Sequence, residues 1–307
     1  NIWIGYNSKN YDQYILKGIL CDFNPYEVSY HLIEQNKPGY RFSSLFKKIN
    51  IFNFDIMTQM VGLKTLEGFM GHNIKESSVD FNIDRKLTET EIEEVIKYCR
   101  HDVEQTIEVF IQRKEEFDSQ IALIKAFNLP LSYLSKTKPQ LSSIILGAKR
   151  VHDRNDEFDL MIPDTLKLSK YKHVLDWYLD ENNRDYKNEL EIEVAGVPHK
   201  FAWGGIHGAR EKYHGEGFFL NVDVASFYPA LMIEYGYSSR NISNPNKYKE
   251  IRDERLILKA KKDPKQLPYK TVLNSTYGAM KDKYNELYDP RQANNVCVGG
   301  QLLLLDL

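Results

Sequence analysis

Cysteine is scarce in this chain: Cys21, Cys99 and Cys297 stand far apart among 307 residues, with no Cys-x-x-Cys spacing. Such a set carries neither a disulfide framework nor a zinc site and fits a reducing, intracellular setting. No run of 18 or more apolar residues occurs, so no membrane span is expected. The N-terminus has neither a basic segment ahead of an apolar core nor a small-residue cleavage site, so no secretory signal is visible. Internal repeats and low-complexity tracts are also missing. The net charge of −2 lacks the basic excess of many nucleic-acid binders. Binding depends on where charge sits, however, and the sum includes carboxylates that would carry metal ions. The chain starts without Met, at Asn1, and stops inside an apolar helical pattern, Gln301 to Leu307, so both ends read as cut.

What is present is ample apolar material, 42% of residues, enough for real cores in two or three domains. The chain is organised around Asn221-Val222-Asp223-Val224-Ala225-Ser226-Phe227-Tyr228-Pro229, led by Phe218-Phe219-Leu220. The pattern predicts a buried strand that delivers Asp223 at its end, turns through small and aromatic residues, and stops at proline. A carboxylate on a rigid strand end suits a hard divalent cation; taken alone, it is equally a strand end with an exposed Asp.

A second stretch, Lys270-Thr271-Val272-Leu273-Asn274-Ser275-Thr276-Tyr277-Gly278, begins 47 positions after Asp223. Lys270, Asn274 and Tyr277 share one face if it is helical, which sets a cation, an amide and an aromatic side by side. Between the two stretches, Lys247 to Lys270 holds nine Lys or Arg against four acids. A charge run is usually a solvated helix face; here Arg252, Arg255, Lys259 and Lys262 fall at spacings of three and four. Asp263-Pro264 ends that helix, and Leu267-Pro268 opens the next.

Near the start, Ile2 to Asn7 reads as an apolar strand and Tyr14 to Leu20 as a helix, with Asp12 between them. An Asp there can hold a metal or simply favour a helix N-terminus through the dipole. Ile51 to Met57 alternates like a strand. A clear helix follows, with Thr88 and Glu91 forming a capping box. Its apolar stripe is Ile92, Val95, Ile96, Cys99, Val103, Ile107, Phe110 and Ile111. Tyr98 and Asp102 share a face of it, which alone is no more than a solvated Asp beside an amphipathic Tyr.

The two central stretches resemble motifs A and B of the family B (α-like) DNA polymerases, Asp-x-x-Ser-Leu-Tyr-Pro and Lys-x-x-x-Asn-Ser-x-Tyr-Gly; Phe227 replaces the Leu. Asn7-x-x-x-Tyr11-Asp12 and Tyr98-x-x-x-Asp102 resemble the Exo II and Exo III motifs of the 3′–5′ proofreading exonuclease of the same family, in the family's order. The resemblance implies an α/β and α+β multidomain protein. Its parts would be an RNase H-like exonuclease domain lacking its first strands (1–122), a connector (123–215), a palm with motif A (216–240), helical-hairpin fingers with motif B (241–282) and a truncated palm helix (283–307).

The resemblance further implies that Asp12 and Asp102 bind metal, Tyr98 orients the attacking water and Asn7 lies near the frayed 3′ end. Asp223 would bind both catalytic metals. Lys270, then Arg255 and Lys259, would meet the triphosphate. Tyr228, Ser226, Phe227 and Asn274 would belong to the nucleotide site, with Tyr228 beneath the sugar to exclude a ribose 2′-hydroxyl. Tyr277 and Gly278 would pack by the nascent pair. Gly204 and Gly205 match a Tyr-x-Gly-Gly element that handles DNA between the two sites, with Ala202 where the Tyr should be. Mg²⁺ or Mn²⁺, two ions per complete site, would be the cofactor. Primer–template DNA and dNTPs would be the ligands, with a complementary polymerase fragment or replication accessory proteins as partners.

Protein-primed members insert a large segment between motifs A and B; its absence here argues for a nucleic-acid-primed enzyme. The compact layout is phage-like, which implies the cytoplasm of a bacterial host. Exo I, motif C and the thumb are not in the chain, so the expectation is a fragment with neither active site complete. The alternative is a split or degenerate polymerase that serves as a DNA-binding or assembly subunit.

Overall fold

The computed structural model describes residues 1–57, 61–80, 83, 85–151 and 154–307, and divides into two compact units, Asn1–Lys136 and Thr137–Leu307. In the first unit β1 (Trp3–Gly5) pairs in parallel with β2 (Asn53–Asp55), Gly5 opposite Asp55. A parallel pair needs a crossover. Here it runs through α1 (Asp12–Leu20), α2 (Pro25–Leu32) and two short 3₁₀ turns. Asn24 caps α2 by accepting the Tyr26 N–H, with Pro25 at the first helical position. Phe23, Phe42 and Phe46 pack ring to ring beneath the crossover.

Three helices follow: α3 (Leu63–Phe69), α4 (Glu89–Gln112) and α5 (Lys114–Ala126). The expected capping box forms at Thr88 and Glu91. The expected burial of the α4 stripe does not hold: Ile92, Ile96, Cys99, Val103, Ile107 and Ile111 are exposed. The face that packs carries His101, Gln105 and Val109 instead, because α3 and the residues after it lie on that side and pair with those polar groups.

The second unit holds α6 (Lys138–Ile145), α7 (Lys172–Leu179) and an antiparallel sheet of β3 (Glu189–Val194), β4 (Val197–Ala202) and β5 (Gly205–Gly208). The β3–β4 turn is Ala195-Gly196, both at positive φ, as a two-residue hairpin turn that matches strand twist requires. Trp203, at the β4–β5 turn, is fully buried, packs on Tyr178 and Phe158, and donates its indole N–H to Asn183 O at 2.8 Å. The sheet thus lies inside the stretch expected to be a connector.

Helices α8 (Phe227–Glu234), α9 (Asn246–Ala260), α10 (Gln266–Lys281) and α11 (Pro290–Leu305) complete the unit. The break between α9 and α10 falls at Asp263-Pro264, where the sequence places it. α11 is buried without interruption from Gln292 to Leu302. The strand expected to carry Asp223 is not formed. Phe218, Leu220 and Val222 are exposed, Leu220 at 90%. A strand needs neighbours for its backbone groups, and no described strand lies beside this segment. No helix among the described residues is long and apolar enough to cross a membrane.

An ion-pair network ties the loop before α9 to the start of α11. The fully buried Asp289 carboxylate accepts the Arg240 backbone N–H at 2.8 Å and its guanidinium at 2.6 and 3.0 Å. Asp156 takes another edge of the same guanidinium at 2.6 and 3.1 Å. Removing one partner of such a pair strands a buried charge. Arg240→Met is therefore expected to destabilise the chain by about 3 kcal/mol, read as a lower urea midpoint at unchanged slope. Arg240→Lys should recover only part of the loss, because an ammonium cannot serve both carboxylates in the plane of a fork.

Candidate functional sites

In the first unit, Asp12 and Asp102 line one cleft of about 510 Å³, walled by Gly5, Tyr6 and Ser8 on one side and by Cys99, Val103 and Thr106 on the other. The β1–α1 loop is shaped by Asp55, which accepts the backbone N–H groups of Asn7, Lys9 and Met57 at 2.9–3.0 Å. Asn7 sits at φ 54°, a left-handed conformation that Asn tolerates better than most residues. Partial desolvation pushes the Asp12 carboxyl above the usual range. A backbone hydrogen bond opposes this, and the nearby Asp55 charge adds to it. A second carboxylate close enough to add to the rise of the Asp12 pKa makes a place where a cation is welcome.

Asp102 is already partnered. Lys64 Nζ donates to its Oδ1 at 2.6 Å and sits 4.7 Å over the Tyr98 ring. Burial pushes the Tyr98 phenol up, and the Asp102 charge adds to that. Behind Lys64 lies Glu67, completely buried, with His101 Nε2 at 2.5 Å from Oε1 and the Lys64 ammonium at 3.4 Å from Oε2. Burial pushes the Glu67 carboxyl up, but the His101 hydrogen bond and the Lys64 charge outweigh it, so its pKa is lowered. Sequence reading missed Lys64, Glu67 and Asp55. Lys64, Glu67 and His101 converge only because α3 packs across α4, and Asp55 reaches the loop from the strand beside β1.

In the second unit the two central stretches meet. The Tyr228 and Tyr277 rings lie 4.7 Å apart. Desolvation, then the Cys297 thiol beside it, pushes Tyr228 up to about 12; Tyr277 is raised by the same causes in the same order. Ser226, at φ 54°, turns the chain into α8, and its hydroxyl accepts from Arg255 Nη1 at 3.0 Å. Arg255 is therefore buried across the Ser226 turn, whereas Lys259, Lys270 and Asn274 face solvent. A left-handed non-glycine residue costs about 1 kcal/mol or more, and the arginine clamp holds it. Phe227 packs where Gly300 has no side chain: a Cβ there would meet its ring at 3.2 Å. Gly278 and Gly204 each open onto free space. Asp223 is exposed on the unpaired segment before α8.

Carboxylate oxygens are the right donors for Mg²⁺ or Mn²⁺, and Asp12 and Asp102 on one cleft fit such an ion in chemistry. Their number falls short, because the described residues contain no group of three or more His, Cys, Asp or Glu placed to hold a metal. The lone Asp223 does not make a metal site by itself. No protein-family model matches this chain, and neither a curated protein nor a solved structure matches it.

Because its pKa is depressed, ionised Glu67 contributes stability above the unfolded value of about 4.3, and that contribution is lost as pH falls through the lower folded value. Glu67→Gln should therefore flatten the acid limb of the pH–stability curve, measured by urea midpoints below about pH 4.5. It should also cost stability at pH 7, where the His101 and Lys64 partners lose their anion.

Proposed function

We propose that the chain carries the exonuclease and nucleotide-binding elements of a family B DNA polymerase, the first unit being RNase H-like and the second part of a palm with helical-hairpin fingers. The observation that supports this most is the meeting of Tyr228 with Tyr277, 49 positions apart in the chain, with rings 4.7 Å apart. Motif A and motif B residues become neighbours, and Lys270 and Asn274 stand exposed on the motif B helix. A nucleotide would lay its sugar on the Tyr228 ring, which would exclude a ribose 2′-hydroxyl. Lys270 would meet the triphosphate, a role that needs placement and charge rather than covalent chemistry. Arg255 fixes the turn that presents Tyr228 and so supports the site from behind.

In the cleft of the first unit, Asp12 and Asp102 would hold Mg²⁺ or Mn²⁺, which supplies an activated water and a counter-charge for phosphate oxygens. Lys64 holds Asp102, which lines the cleft, and lies over the ring of Tyr98, which does not line it. Asp223 supplies one carboxylate to the polymerase site and needs others to complete it.

A second reading, a non-catalytic DNA-binding or assembly subunit, is favoured by one observation: Asp223 is exposed on a segment without strand partners. Two measurements separate the readings. Lys270→Ala should weaken Mg·dATP binding about tenfold or more, the loss of one charge-assisted contact worth about 1.5–3 kcal/mol, while leaving primer–template affinity nearly intact. Unchanged dATP affinity would remove Lys270 from the site. Primer–template binding that is equal in EDTA and in Mg²⁺, and unchanged by Asp223→Ala, would favour the binding subunit. Primer extension that depends on Asp223 would exclude it.

A further inference from the structure

Past the end of α10 the backbone is pinned in tight turns. Asp282 Oδ1 accepts the Tyr284 N–H at 2.9 Å, Asp282 O accepts the Asn285 N–H at 2.9 Å, and the buried Asn285 side chain accepts the Leu287 N–H at 3.0 Å. The chain is thus fixed on both sides of Tyr284, whose side chain is nevertheless 86% exposed. One exposed apolar side chain is ordinary, but the surroundings of this one are not. Lys283 Nζ lies 5.1 Å over the Tyr284 ring, Lys281 Nζ 4.9 Å over Tyr277, and the Arg150 guanidinium 4.6 Å over Tyr288. Arg150 also donates to the Lys283 carbonyl, which brings Lys149 and Arg150 alongside the turn. The two exposed acids of the turn accept from backbone: Asp282 as above, and Glu286 from the Arg150 N–H at 2.8 Å. Lys149, Lys281 and Lys283 have no ion-pair partner among the described residues. Four cations against two acids make a local positive excess in a chain of net charge −2.

We propose that this turn, with Lys149 and Arg150 beside it, is a seat for a single nucleic-acid strand: Tyr284 stacks on an unpaired base, and Lys149, Lys281 and Lys283 meet the phosphates on either side. The site lies beyond the motif B stretch, on residues to which the four motifs assign no role, and it stands without the polymerase reading. An aromatic face among unpaired cations is the combination that binds single strands whatever their sequence, because every base has a face to stack and every nucleotide a phosphate. A duplex keeps its bases stacked inside and offers none to Tyr284. An acidic protein segment would use the lysines and leave the ring idle. Lys283 over the ring strengthens the same choice, since a cation beside a stacked base is attracted to its face as well as to its phosphate. The pinned backbone holds the ring in place before the strand arrives, so little ordering is needed on binding.

Fluorescence anisotropy of a labelled oligo(dT) with the full chain tests this, a duplex of the same length serving as the comparison. The wild-type chain should hold the single strand more tightly than the duplex. Tyr284→Ala should weaken the single strand about tenfold, within the range for losing one stacked base. Tyr284→Phe should bind like the wild type, because stacking uses the ring and not the hydroxyl. Lys281→Ala and Lys283→Ala should each lower the slope of log K against log salt by about 0.7, as expected for one lost phosphate contact on a single strand. These side chains are exposed, so urea midpoints should stay at the wild-type value. Oligo(dT) that fails to bind, or that binds Tyr284→Ala as it binds the wild type, overturns the site. Polyglutamate that competes as well as unlabelled oligo(dT) makes the patch a seat for acidic protein segments and overturns it too. Equilibrium dialysis with Mg·dATP keeps the two readings apart. Tyr284-dependent oligo(dT) binding by a chain that takes up no dATP leaves the strand seat standing while the polymerase reading falls; dATP uptake with oligo(dT) binding indifferent to Tyr284 does the reverse.

Discussion

Every polar group buried in the second unit must find a partner, and α11 is where that constraint presses hardest. The helix is enclosed from Gln292 to Leu302 yet carries Gln292, Asn294, Asn295 and Gln301. Each is answered by a specific piece of backbone: Gly236 O, Glu157 O, Met161 N–H and Ala202 O. Unpaired, any of these amides would cost about 1–3 kcal/mol. The loops around residues 157–161, the turn after β4 and the end of α8 are consequently set by the helix they cover.

The two candidate sites manage charge in opposite ways. In the first unit a lysine reaches the carboxylate that would hold metal, and a buried glutamate and histidine stand behind that lysine. A cation entering the cleft competes with a side chain already in place. In the second unit the clamp is an arginine that holds backbone, through Ser226, rather than a carboxylate. Lys259 and Lys270 are left facing solvent, as suits groups whose partner arrives from outside.

Local signals carried well from sequence to structure. The Thr88–Glu91 box, the break at Asp263-Pro264 and the helical face of Lys270, Asn274 and Tyr277 depend on residues within a turn or two of one another, and each stands where expected. The failures are all questions of what lies alongside. The α4 stripe has helical spacing, but α3 packs on the polar side of the helix, so spacing alone misassigned the buried face. Residues 218–223 have strand composition without a described strand next to them. Among site residues, Asp12 and Asp102 were visible through short motifs. Lys64, Glu67 and Gln301 act across elements, and no spacing within one element reveals them.

The uncovered stripe of α4 has a thermodynamic consequence. Ile92, Ile96, Val103, Ile107 and Ile111 are wetted in the native chain, as are Phe218, Leu220 and Val222. Unfolding cannot expose them a second time. The heat-capacity increment of unfolding, normally about 12–15 cal/mol/K per residue, arises from newly hydrated apolar surface. It should therefore be small for a chain of this length. The stability curve is correspondingly broad and shallow, and cooling weakens the fold less than it would a protein whose apolar faces are all enclosed.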